Sequence, residues 1–315
     1  MKSHIRLGGF AIFLALLNAG PVSAETGGVV HIELPSTGVT LHERPDDRLR
    51  VTSYELYHGV YLRGKGSDVF TKRTQYYGLT VSPRGDRIAG LSEEFAADGR
   101  DEVVLLDRGT WAEKRVKTVR GPWITDWLRW SPDGRYLVGT ERRKLTDTKW
   151  AVSGFSIVDR KKLTYRQAKV TDPNPEAYFE WTPGARSVIS WLDGEIKEYW
   201  LDGRLRRSLK VGNTPNGEYA FSPSGRRLLT GCPYEDDPDV CVVRWPEGKI
   251  TKKVNFPAES LLGWWDERHF IAVAGKGRDF QVVVAGLDGK PVRVLADLDE
   301  KAWKIASVYL LYTRA

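Results

Sequence analysis

Trp130-Ser131-Pro132-Asp133-Gly134-Arg135-Tyr136-Leu137 holds the end of one strand, a tight turn and the start of the next strand. The aromatic residue closes the first strand. Proline then fixes φ and glycine accepts a positive φ, so the chain reverses within a few residues. The pattern recurs. Val81-Ser82-Pro83-Arg84-Gly85-Asp86-Arg87-Ile88 precedes it, and Trp181-Thr182-Pro183-Gly184-Ala185-Arg186-Ser187-Val188 and Phe221-Ser222-Pro223-Ser224-Gly225-Arg226-Arg227-Leu228 follow. A degenerate fifth copy reads Trp264-Trp265-Asp266-Glu267-Arg268-His269-Phe270. Successive copies lie 49, 51, 40 and about 42 positions apart, in or near the range of a propeller blade.

A second hairpin sits between copies, as in Val103-Val104-Leu105-Leu106-Asp107-Arg108-Gly109 and Phe155-Ser156-Ile157-Val158-Asp159-Arg160. The segments Ile196 to Gly203, Val242 to Gly248 and Val282 to Gly289 follow the same plan. Each unit therefore reads strand, tight turn, strand, variable loop, strand, tight turn, strand, which is one antiparallel four-stranded blade. The sequence predicts an all-β propeller of six blades, or seven if residues 49–72 form a degenerate blade and not an insertion. Closure is expected in a blade shared by the chain ends. In that scheme Val29–Leu34 and Val39–Leu41 pair with the tail strand that ends at Tyr312, leaving the ring without exposed edges.

The Ser-Pro-Asp-Gly-Arg signature resembles the WD40-like repeats of TolB-type periplasmic propellers over roughly residues 75–300. The combination of Gly-His and Trp-Asp that frames a strict WD repeat is not found: Gly-His is missing, and the lone Trp265-Asp266 lies in the degenerate copy. The separate N-terminal domain of TolB is not found either. The resemblance implies blade architecture and says little about activity.

The first residues read as an export signal. Lys2 and Arg6 precede an apolar run from Leu7 to Leu17, and Val22-Ser23-Ala24 offers a small-residue cleavage site. An uncleaved anchor is the alternative, but a spanning helix needs about 20 apolar residues. A secreted or otherwise extracytoplasmic protein, in the periplasm or at the envelope, is expected, with residues 25–315 as one propeller domain. Loss of Lys2 and Arg6 takes the formal net charge from +7 to +5. That mild excess is no argument for nucleic acid. In an oxidising compartment Cys232 and Cys241 are expected to bridge, stapling a hairpin across its loop.

Motifs for chemistry are scarce. A Gly-X-Ser-X-Gly elbow, a His-Glu-X-X-His helix and a phosphate-cradling glycine loop are missing from the sequence, and no cofactor is expected. His31, His42, His58 and His269 are dispersed; His42 and Glu43 with Asp46 and Asp47 read as a solvated loop. Glu235, Asp236, Asp237 and Asp239 form a weak calcium candidate, since calcium takes several oxygen ligands, although the spacing is not that of an EF-hand loop.

Propeller topology sorts the loops onto two faces. Tight turns on one face carry Arg135, Arg186, Arg226, Arg268, Arg160, Lys161 and Lys162, which predicts a basic surface suited to an anionic envelope polymer. Variable loops and blade connections on the other face carry Asp126, Glu176, Glu218 and Glu259 together with the aromatic residues Trp123, Tyr178 and Trp303. These are the candidates for a central funnel. The leading expectation is a monomeric, non-catalytic scaffold for a protein, peptide or anionic polymer. The alternative is a lyase or glycoside hydrolase using funnel carboxylates, which would need two of them about 5–10 Å apart.

Overall fold

The structure, a computed structural model, describes residues 28–56, 59–147, 149–176, 178–234, 239–305 and 307–314. The leader, His58 and the acidic residues Glu235, Asp236 and Asp237 lie outside the described residues. The described strands form six antiparallel sheets arranged as a six-bladed propeller. The seventh blade is therefore excluded.

From the axis outward, blade 2 is Tyr76–Val81, Arg87–Ser92, Arg100–Asp107 and Glu113–Arg120. Blade 3 is Ile124–Trp130, Tyr136–Lys144, Trp150–Asp159 and Thr164–Lys169. Blade 4 is Glu180–Trp181, Ser187–Leu192, Glu195–Trp200 and Leu205–Leu209. Blade 5 has Arg227–Gly231, Val240–Arg244 and Lys249–Val254. Its inner segment makes only isolated bridges, Phe221 to Leu228 and, in parallel, Tyr219 to Gly263 of blade 6. Blade 6 is Ser260–Trp264, His269–Lys276, Asp279–Gly286 and Pro291–Leu298.

Blade 1 closes the ring and is shared by the chain ends, but with a different partner from the one expected. The terminal strand Tyr309–Arg314 is its inner strand and pairs with Leu49–Leu56, which is followed by Gly59–Arg63 and Phe70–Arg73. Val30–Glu33 and Val39–Glu43 instead form a hairpin on the outer edge of blade 6, with Val39 opposite Leu298. The reason lies in burial. Leu49, Val51 and Tyr54 are buried in the second strand of blade 1, whereas Val30–Glu33 alternates apolar and polar residues and buries only Ile32, as suits an outer edge with one face on the core. The hairpin is fastened at its sides. Arg63 Nη1 donates to both carboxylate oxygens of Glu43 at 2.8 and 2.7 Å, and Arg293 donates to Asp47.

Apolar burial is organised between blades. One cluster joins Val60 and Leu62 of blade 1 to Leu79, Ile88 and Val104 of blade 2. Another joins Leu91 and Val103 of blade 2 to Leu128 and Leu137 of blade 3. The remaining seams follow the same plan, the one between blades 6 and 1 also taking in Leu34, Val39 and Leu41 of the edge hairpin. Middle strands are therefore buried on both faces, which explains continuous apolar runs such as Val103-Val104-Leu105-Leu106.

The repeated signature ties the seams together. Trp130 Nε1 donates to the carbonyl of Thr80 in blade 2 at 3.3 Å, and Trp181 Nε1 donates to the carbonyl of Arg129 in blade 3 at 3.0 Å. Each acceptor immediately precedes the signature residue of the previous copy. The turns nest in the same way. A Cβ on Gly225, at φ 69°, would lie 2.6 Å from Pro183 of the preceding turn. In the third copy Ala185, not Gly184, takes the positive φ of 51°.

Replacing Trp181 by phenylalanine keeps most of the buried ring and removes the clasp to blade 3. The expected loss is about 1–2 kcal/mol, and about 3–5 kcal/mol for Trp181→Ala. Urea unfolding checks this, with the midpoint falling and the slope unchanged for Trp181→Phe; unchanged stability of that variant would contradict the clasp.

Candidate functional site

The inner strands run from the variable-loop face to the tight-turn face, and their charged residues meet near the axis. Arg129 of blade 3, only 6 % exposed, sits at the centre. Its Nη2 donates to the Tyr309 hydroxyl of blade 1 at 2.8 Å, and its guanidinium lies 4.9 Å from the Tyr178 ring centroid. Tyr309 in turn donates to the Asn216 carbonyl, and Tyr178 donates to the Pro215 carbonyl. This chain of contacts crosses the channel and divides it.

Four carboxyl groups surround Arg129. Asp126 accepts from Arg142 Nη1 at 2.9 Å and from the Trp127 amide at 2.8 Å. Arg142 is stacked between Trp127 and Trp150, at 4.4 and 4.1 Å from their centroids. Glu218 accepts from the Thr80 hydroxyl of blade 2, across the channel, at 2.6 Å. Glu55 accepts from the Leu79 amide at 3.3 Å. Glu180 is 4 % exposed. Removal from water raises all four acids. Glu55 is pushed up to about 7 by burial, with the Asp126 charge adding to it. Glu180 is pushed up to about 8 by burial; Arg129 opposes this and Glu218 reinforces it.

Two cavities flank the plug. The one on the variable-loop face has a volume of about 440 Å³ and reaches from the channel into the seam between blades 6 and 1. Tyr178, Trp127, Trp303, Leu262, Val308 and Ile305 supply its apolar wall, and Glu55, Glu176 and Arg129 its charged groups. Ile305, in a single π-helical turn over Lys301–Ile305, is 75 % exposed at this site. The cavity on the tight-turn face has a volume of about 220 Å³ and includes Arg129, Glu180, Glu218 and Arg314.

The expected funnel residues divide. Tyr178, Trp303 and Glu176 line the larger cavity, and Asp126 and Glu218 belong to the channel cluster. Glu259 is exposed and lines neither cavity. Trp123 lies under Arg143, 5.2 Å from its guanidinium, in a groove between the outer strands of blades 2 and 3, and not in the funnel. Glu55, Arg129, Glu180 and Tyr309 were not anticipated. A signal for two of them existed: Arg129 and Glu180 both directly precede a signature tryptophan, at the register position that gives Thr80 in blade 2.

On the tight-turn face Arg186, Arg226 and Arg268 are exposed. Arg135 pairs with Asp159 at 3.2 Å, and Arg160 Nε donates to the Gly134 carbonyl at 3.1 Å. Asp159 also accepts the amides of Lys161 and Lys162, so this turn offsets part of its own positive charge. Cys232 and Cys241 form a disulfide with Cα atoms 5.1 Å apart. Asp239 is exposed beside it. His31 and His42 touch through their Nδ1 atoms at 2.8 Å, and His42 Nε2 meets Asp297 at 2.6 Å, on the edge hairpin far from the channel. Among the described residues no group of three or more His, Cys, Asp or Glu side chains is arranged to hold a metal. No helix among them is long and apolar enough to cross a membrane.

No protein-family model matches the chain, and no curated protein matches its sequence. Solved structures do match in fold. An oligogalacturonate lyase in complex with manganese aligns over 85 % of this chain and 84 % of its own, at 18 % identity and a TM-score of 0.56. A putative TolB from Agrobacterium tumefaciens aligns over 85 % and 98 %, at 15 % identity and a TM-score of 0.49. TolB from Acinetobacter baumannii aligns over 83 % and 65 %, at 14 % identity and a TM-score of 0.46. At these identities the likeness is one of fold. It agrees with the propeller architecture read from the repeats and names no activity.

The raised acids make stability depend on pH. The folded state holds protons on Glu180 and Glu55 that the unfolded chain releases near pH 4.5. Stability therefore falls as pH rises from about 4.5 through about 8, the slope following the excess of protons bound by the folded state. Glu180→Gln should flatten this fall by an amount on the order of a few kcal/mol. Thermal melts from pH 5 to pH 9 check it, and parallel curves for the variant and the parent would contradict it.

Proposed function

We propose that this propeller is a binding module acting outside the cytoplasm, and that it takes an apolar or aromatic peptide segment of a protein partner into the cavity on its variable-loop face. The observation that carries the reading is the cavity itself. Its wall is largely aromatic and aliphatic, with a few polar groups at the floor, which is the usual composition of a ligand pocket. Ile305 and Trp303 extend the wall outward on an exposed turn, as an interface anchor would. Arg129 is engaged with Tyr309, and Asp126 with Arg142. Arg129 and Tyr309 close the floor, and Asp126 lies outside the cavity. The export-like leader and the Cys232–Cys241 bridge support an extracytoplasmic site of action. The exposed Arg186, Arg226 and Arg268 support a weaker, salt-sensitive contact with an anionic envelope polymer on the opposite face.

One observation favours a catalytic reading. Glu55 lines the cavity and is pushed up to about 7, where a carboxyl group serves as acid or base. Its neighbour Asp126 is ion-paired and does not line that cavity, so the second carboxylate of such a pair would be Glu176, exposed at the mouth. The lyase similarity gives this reading a substrate to try: oligogalacturonate, with the ultraviolet absorbance of an unsaturated product as readout and Glu55→Gln as control.

Selection of displayed peptides against the mature domain tests the binding reading. Enriched peptides should carry aromatic or aliphatic residues and lose about tenfold in affinity for Ile305→Glu, an exposed change that leaves the core intact. Selected peptides that bind this variant as tightly as the parent would overturn it.

A further inference from the structure

We propose that the tight-turn mouth of the channel is a second binding site, built to receive the ammonium or guanidinium head of a basic side chain on a peptide or protein ligand, with Glu180 and Glu218 as its carboxylate partners. The site lies on the other side of Arg129 from the apolar cavity and has its own opening of about 220 Å³. Glu180 is 4 % exposed and lines this opening, yet its Oε1 has no hydrogen-bond partner among the described residues. A buried carboxyl oxygen left without a donor is costly and marks a place where a donor fits.

The charge balance says which donor. Among the described residues, Glu55, Asp126, Glu180 and Glu218 share the channel with Arg129 and Arg142, and Arg314 at the tight-turn mouth is a third guanidinium against four carboxyl groups. Fully ionised, the cluster lacks positive charge. In the empty site a proton on Glu180 supplies part of it, and a cation from outside would displace that proton. The groups facing Glu180 are Arg129 of blade 3, Glu218 of blade 5, Tyr178 on the segment leading into its own strand and Tyr309 of blade 1. Only Arg129 among these is cationic. The Nε of Arg129 is also unpartnered, but as a donor it does not compete for a cation.

The wall selects a side chain over a simple ion. Trp181, Pro183, Phe221 and Pro223 line the entrance, offering an apolar sleeve for the methylene stem of lysine or arginine. Arg314 at the mouth, with Arg186 and Arg226 on the same turns, opposes an approaching cation at long range. Binding therefore depends on the buried acids and not on the surface field.

Titration calorimetry with N-acetyl-arginine amide and N-acetyl-lysine amide, in buffers of different ionisation enthalpy, tests the site. The uncharged probe is N-acetyl-norleucine amide. Saturable binding of at least one cationic probe is expected, with release of between about half and one proton per ligand at pH 7 and affinity rising by up to about tenfold per pH unit from pH 6 to pH 8. Glu180→Gln, which preserves shape, should weaken binding at least tenfold and abolish proton release. Glu259→Gln, at an exposed carboxylate that lines neither cavity, should leave both unchanged. No saturable binding at millimolar concentration, equal binding of the norleucine probe, or binding and proton release untouched by Glu180→Gln would each overturn the proposal.

Discussion

A four-stranded sheet with two apolar faces cannot be stable alone in water, and every other feature of this protein follows from that constraint. Each blade hides its faces against two neighbours. The seams consist mostly of aliphatic side chains, which pack well but specify register poorly. Direction and spacing come from the polar end of the signature tryptophan. Trp130 and Trp181 insert into a seam and hydrogen-bond to a backbone carbonyl one blade back. The degenerate copy departs from this: Trp264 Nε1 has no partner among the described residues, while the Trp264 amide donates to the Tyr219 carbonyl at 2.7 Å. Blade 5 is thus attached to blade 6 through its inner segment, which accounts for its irregular first strand.

Closing the ring has an electrostatic consequence. The inner strands surround a narrow space from which most water is excluded, and acids placed there hold their protons. Arg129 spans this space because two tyrosines from other blades offer it a hydroxyl and a ring face. The plug separates two cavities of different character, one broad and apolar, the other small and lined by both acids and arginines. A propeller with a polar plug can present separate ligand surfaces at its two ends without a second domain.

Much of the architecture was legible in the sequence because turn chemistry is local. Pro132 with Gly134, and Pro223 with Gly225, reveal the strand-turn-strand unit wherever they occur. Closure was only half legible. The shared blade follows from counting strands, but choosing Leu49–Leu56 over Val30–Glu33 as partner of the tail depends on which of two apolar segments is buried on both sides. Local pattern does not report that. The channel was harder still. Asp126, Glu218 and Tyr178 were recognisable from their place at the strand entries, whereas Trp123 and Glu259 occupy similar places and turn away. Arg129 and Glu180 come from blades 3 and 4, and Glu55 and Tyr309 from the strand pair that closes blade 1, so their meeting is a property of the closed ring and not of any one segment.

Hydrogen exchange under native conditions, read by mass spectrometry on the peptide covering Tyr309–Arg314, tests the account most directly. A terminal strand that seals the ring as the inner strand of blade 1 should be protected as strongly as the second strands of blades 2 and 3, opening only with the whole domain. Exchange at loop rates in that peptide, while blades 2 and 3 stay protected, would show that the ring holds without its terminal strand and would contradict the account.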